Sequence, residues 1–120
     1  MSLPEAVARW VDVFQGSLDL ESYLDLFSQD VEFRDGESGQ IVHGTEELTE
    51  LIRPFTQLSD MSATVLGYAV NGDQTFLEGE LHARSPSGVP VITRGVGIFT
   101  VSGSKISKCT MYMFRQNISL

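Results

Sequence analysis

Val31-Glu32-Phe33-Arg34-Asp35 follows two amphipathic stretches and reads as a short strand. Alternate residues of a strand share a face, so Val31, Phe33 and Asp35 point one way while Glu32 and Arg34 point the other. A carboxylate therefore ends an apolar face, immediately before the Gly36 to Gly39 turn. If that face lines a pocket, Asp35 is a base whose pKa the surroundings can raise. If the face runs out into solvent, Asp35 merely terminates the strand, because Asp-Gly is also ordinary turn chemistry.

The length of 120 residues, 42% hydrophobic and 20% charged, predicts one globular domain over 1–120 with a core of its own. Cys109 is the only cysteine, which excludes an intrachain disulfide and leaves no cysteine pattern for a metal. The net charge of −8, with the eight Lys and Arg residues scattered, argues against a nucleic-acid partner. Met1-Ser2-Leu3-Pro4-Glu5 lacks a basic segment followed by an apolar run, so no signal peptide is expected. No stretch approaches the ~18 consecutive apolar residues of a membrane span. A cytoplasmic location without membrane attachment is the expectation.

Before the opening strand, Leu3, Ala6, Val7, Trp10, Val11 and Phe14 recur at helical spacing behind a possible Ser2–Glu5 capping box, and Gly16 stops the helix. Asp19 caps a second helix whose stripe is Leu20, Tyr23, Leu24 and Phe27. Beyond the strand, Thr45 caps a third helix with Leu48, Leu51, Ile52 and Phe55 on its inner face, and Pro54 kinks or ends it. The period then changes to two. Strands are expected over 62–71, 74–84, 89–101 and 105–116, joined by Asn71-Gly72-Asp73, Ser85-Pro86-Ser87-Gly88 and Ser102-Gly103-Ser104. The fold class is α+β: three N-terminal helices packed on one face of a curved, mostly antiparallel sheet.

The run Leu24 to Asp35, the segment His43-Gly44-Thr45-Glu46-Glu47-Leu48 and the turn Gly103-Ser104-Lys105-Ile106-Ser107 together resemble the NTF2-like superfamily, closest to its ketosteroid-isomerase-like and SnoaL-like (polyketide-cyclase-like) branch. That resemblance implies a cone-shaped α+β barrel and places Asp35 where the ketosteroid isomerases keep their general base. Trp10 falls where that family has an oxyanion-binding tyrosine, and Gly97 where it has a second, protonated aspartate. With two of those groups replaced, ketosteroid isomerase activity itself is not expected. The resemblance leaves two readings. One is a cofactor-independent isomerase or cyclase type of enzyme, with Asp35 as general base on a small apolar carbonyl substrate and Trp10 beside the oxyanion. The other is a non-catalytic module for small-ligand binding or dimerisation. It further implies a homodimer through the outer sheet face and no cofactor.

By period and resemblance, Val31, Phe33, Leu77, Leu81, Gly97, Met111 and Met113 share the concave face. Tyr23, Phe27 and Phe55 from the helical stripes complete the expected ligand pocket, with the Tyr23 hydroxyl at its rim. Glycines such as Gly95 and Gly97 either leave room for a ligand or only let the sheet curve. Trp10 is equally readable as core packing with its N–H on a backbone partner. Glu78, Glu80, His82 and Arg84 fall on the other side of their strand. Same-face residues lie ~7 Å apart along a strand, a stretch for joint metal ligation. Pairing with Arg94 on the next strand is the simpler account, and no metal site is expected. Cys109 reads as a small buried hydrophobe, and His43 as part of a helix-capping turn.

Overall fold

The structure, a computed structural model, describes residues 2–117, with side chains through residue 113. The first helix, α1, spans Glu5–Asp12 and starts at Pro4. The Pro4 carbonyl accepts from Val7 N–H and Ala8 N–H at 3.0 and 2.9 Å. No side chain caps this end, so the Ser2–Glu5 capping box does not form. Proline already fixes the starting φ and has no N–H to satisfy. Past the helix, Gly16 turns with φ +79 and exchanges backbone hydrogen bonds of 2.7 and 2.8 Å with Met61.

Asp19 caps α2, Leu20–Leu24, by accepting the Ser22 N–H at 3.1 Å. This helix is shorter than the apolar stripe suggests. Phe27 opens the first strand, β1 (Phe27–Asp35), because the Leu26 carbonyl accepts the Ile106 N–H at 2.9 Å and draws the chain into the sheet. After β2 (Ile41–His43), α3 spans Gly44–Ile52. The Glu47 carboxylate accepts the His43 N–H at 2.8 Å, so the cap lies ahead of the expected Thr45. Pro54 then diverts the chain into a 3-10 turn, Arg53–Gln57.

Four long strands complete the chain: β3 (Ser59–Asn71), β4 (Gln74–Arg84), β5 (Pro90–Ser102) and β6 (Lys105–Asn117). They pair antiparallel in sequence order, and β1 inserts parallel beside β6, giving one six-stranded sheet ordered β2-β1-β6-β5-β4-β3. Register shifts at Ser59/Ser62 and Val65/Gly67 in β3 and at Thr100/Val101 in β5 bend the strands. The sheet curves around the helices but stays open, with β2 and β3 as its edges.

The core lies between the helices and the concave face, where Val7, Val31, Leu48, Phe99 and Ile106 are fully enclosed. Leu48 is the pin that fastens α3 over β1. Leu48→Ala is expected to cost about 3 kcal/mol, the middle of the range for such truncations. Urea unfolding followed by circular dichroism checks this: the midpoint should fall while the slope stays constant. An unchanged midpoint would show that α3 is not fastened there.

A cavity under the concave face

A cavity of about 600 Å³ lies between the concave sheet face and the helices. This is within the range of small-molecule sites. Trp10, Val11 and Phe14 come from the first helical segment and Tyr23 from α2. Phe33, Leu77, Leu81, Met111 and Met113 come from the sheet, and Ile52, Pro54 and Phe55 close the side under α3. Asp35 and Glu37 border it from the turn after β1.

The structure thus brings together Trp10, Tyr23, Phe33, Asp35, Phe55, Leu77, Leu81, Gly97, Met111 and Met113 around one space. Phe27 and Val31 stand apart from its wall. Both are buried in the core, because α3 lies over their part of β1 and the Phe27 ring packs on Tyr23 at 5.0 Å. Val65 is a wall residue that alternation alone does not identify, since its face depends on the Val65/Gly67 register shift. Phe14 and Ile52 were visible as members of helical stripes, but nothing local distinguishes a wall position from a core position.

Asp35 is exposed at the mouth of the cavity. Hydrogen bonds outweigh the desolvation that pushes its pKa up. The Glu37 backbone N–H donates to its Oδ1 at 2.9 Å and, with help from the Ser38 hydroxyl and amide, holds the carboxyl below its ordinary range. Turn chemistry and cavity position therefore coexist in one residue. Asp35 is an ionised carboxylate on the rim.

The position of the second acid has no room for one. A Cβ on Gly97 would lie 2.7 and 2.8 Å from carbons of the Phe99 ring and 3.1 Å from the Met111 methyl. At Gly95 it would lie 2.5 Å from the Tyr112 carbonyl oxygen. These glycines admit protein atoms from their own sheet; they are not the source of the cavity.

Deeper in, the Trp10 indole meets Phe14 and Phe99 edge-on, with centroids 4.8 and 4.9 Å apart. Its Nε1 is enclosed and makes no well-formed hydrogen bond, so the backbone partner expected for a core tryptophan is missing. Tyr23 is 1% exposed, a buried residue and not one at the rim. Burial pushes its phenol far above the usual range. Neighbouring Cys109 adds to this, and the nearby Trp10 N–H opposes it. Burial also raises the Cys109 thiol, which stays protonated.

On the convex face, the Glu80 carboxylate accepts from Arg94 Nη2 at 2.6 Å and contacts His82 Nε2 at 2.5 Å. Arg94, then His82, hold Glu80 below its ordinary pKa. Among the described residues, no group of three His, Cys, Asp or Glu side chains converges as a metal site would require. Their helices include none long and apolar enough to cross a membrane.

Gly97→Ala is expected to destabilise by about 1–3 kcal/mol, since the added methyl must displace the Phe99 ring. Thermal unfolding measures it, and an unchanged midpoint would mean that the ring moves aside freely.

No curated protein matches the chain significantly. Solved structures do match its fold. A Catenulispora acidiphila protein of ketosteroid isomerase-like fold, solved in complex with trimethylamine, superposes with a TM-score of 0.75 at 19% identity, over 92% of this chain and 86% of that one. A Jannaschia protein assigned by likeness as a SnoaL-like polyketide cyclase gives 0.72 at 20% identity, over 97% and 90%. An LEH-like epoxide hydrolase of Mycobacterium tuberculosis gives 0.74 at 14% identity, over 92% and 81%. The family model described as SnoaL-like domain matches residues 7–109, from the first helix into β6. The chain therefore belongs to the SnoaL-like domain family of NTF2-like fold.

Proposed function

We propose that this protein is a cofactor-independent enzyme of the isomerase or cyclase type, acting on a small apolar carbonyl compound held in the cavity. The observation that carries this reading is the rim position of Asp35: an ionised carboxylate at the mouth of an otherwise largely apolar space. A substrate carbon next to a carbonyl would present its proton at that mouth, and Asp35 would take it and return it elsewhere. General-base catalysis of this kind contributes roughly 10²–10⁴-fold. Its depressed pKa makes Asp35 a weaker base than a buried carboxylate, but leaves it ionised at neutral pH. This same depression, with the filled second-acid position at Gly97, supports the second reading, a binding module without chemistry.

Hydrogen–deuterium exchange next to the carbonyl separates the two. A panel of cyclic ketones in D2O with the native protein should lose α-protons faster than in buffer, as read by NMR. Asp35→Asn should keep the binding and lose the exchange. Because the active form of Asp35 is the ionised one, the rate should hold its plateau into acid and fall only below the ordinary carboxylate range. Ketones that bind without exchange would leave the binding module as the function.

The same proposal includes a second copy of the chain on the convex face. Phe76 and Val96 lie exposed there, on the side opposite the cavity. Sedimentation should report a dimer for the native protein and a shift toward monomer for Phe76→Glu. A native monomer at micromolar concentration rejects the dimer.

A further inference from the structure

We infer that Tyr112 is a positioning residue for Asp35: its ring fills the side-chain space of Gly36 and holds the turn that aims the carboxylate at the cavity mouth. This rests on the reading of Asp35 as the base, but it concerns the geometry of the turn, which is measurable without any reaction. A Cβ on Gly36 would overlap Cδ1, Cε1 and Cζ of the Tyr112 ring. Gly39 takes the left-handed step of this turn with φ +77, whereas Gly36 has no positive φ and a backbone that any residue could adopt. The ring, not the backbone, is what requires a glycine at position 36.

The turn is seated on the sheet at this point. Asp35 pairs with Met111 and borders the cavity, whereas Tyr112 pairs with the exposed Val96 of β5 and lies on the convex side. The Gly36 N–H donates to the Met111 carbonyl at 2.8 Å, which carries the β1–β6 pairing one residue past Asp35. Beyond it the chain leaves the sheet, and Glu37 to Gln40 are exposed. They fold back on the strand end: the Asp35 N–H donates to the Gln40 carbonyl at 2.9 Å, and the Gly39 N–H to the Asp35 carbonyl at 2.8 Å. The Glu37 N–H that donates to the Asp35 carboxylate at 2.9 Å belongs to the peptide unit directly after Gly36. Fixing Gly36 therefore fixes that donor, in a loop whose exposed residues otherwise move on nanosecond to microsecond times. The β6 backbone holds Gly36 by its N–H, and the Tyr112 ring holds it where a side chain would stand. Tyr112 thus acts through the turn and never touches the ligand.

NMR titration of the Asp35 carboxyl carbon reads the effect directly. In the native protein it should titrate below the ordinary carboxylate range, and the Gly36 α-protons should show nuclear Overhauser contacts to the Tyr112 ring. Tyr112→Leu should move the Asp35 titration up into the ordinary range, because the turn amides no longer stay on the carboxylate. Tyr112→Phe should titrate as the native protein does, since ring carbons make the contact. Gly36→Ala, which displaces the ring from the side of the turn, should repeat the Tyr112→Leu shift. Proton exchange of a bound ketone should fall in Tyr112→Leu by up to about a hundredfold, the cost of a misplaced reacting group. If the native protein exchanges no ketone, the reading of Asp35 as a base fails while the titrations still decide this one. A role in packing alone would lower the unfolding midpoint of Tyr112→Leu and leave the Asp35 titration in place, and that result overturns the inference. So does a native Asp35 that titrates in the ordinary range, a native Gly36 without contact to the ring, or exchange retained at the native rate in Tyr112→Leu. Should Tyr112→Leu fail to fold, Gly36→Ala and the native ring contact still decide.

Discussion

The parallel pairing of β1 with β6 is the contact on which the rest depends. It joins residues far apart in the chain, Phe33 to Cys109 and Asp35 to Met111, and is anchored where the Leu26 carbonyl accepts the Ile106 N–H. The antiparallel strands β3 to β6 can form through short turns alone, but they would present an uncovered apolar face. By drawing β1 into the sheet, the parallel pairing brings along α2 on one side and α3 on the other. Those helices supply the second wall of the cavity. The cost is closure of a long loop, which grows only slowly with length and is set against the burial of Phe27, Val31 and Phe33. Because the pairing fixes Asp35 opposite Met111, it also fixes where the rim carboxylate stands relative to the sheet.

Within that frame, small residues and aromatic ones divide the space under the sheet. Gly97 yields its side-chain volume to Phe99 and Met111, and Phe99 in turn supports the edge of Trp10. A sheet with a larger residue at that position would have to push Phe99 toward the helices and the cavity. The volume that Gly97 leaves free is thus taken up by the Phe99 ring and the Met111 methyl. Met111 is nearly enclosed yet still part of the wall, so the cavity is bounded by well-packed atoms and is not a gap left by poor packing.

Much of this was legible in the sequence. Four long strands appear close to where alternation and turn residues put them, because those signals are local: Asn71-Gly72-Asp73 or Ser102-Gly103-Ser104 act through their own backbone preferences. Pro54 likewise ends α3 through chemistry carried by the proline itself. The misread residues are those whose placement is decided at a distance. Phe27 fits the helical stripe of α2 but is taken by β6, and Val31 has the right alternation but lies under α3. Depth in the cavity is equally non-local. Nothing near Tyr23 in the chain says that its ring ends up enclosed, and nothing near Asp35 says that the cavity opens where its turn begins.

The two polar ends of the cavity differ in kind, and the difference follows from where each sits. At the rim, solvent and turn amides stabilise charge, so the group there is an anion. At depth, burial penalises charge, so the Tyr23 phenol and the Cys109 thiol are neutral. Reversing the arrangement would put a carboxylate where burial resists its ionisation and a phenol where solvent surrounds it. The constraint acts through the fold and not through any one residue: the parallel β1–β6 pairing puts the end of β1 at the mouth, and the helical segments put Trp10 and Tyr23 on the wall.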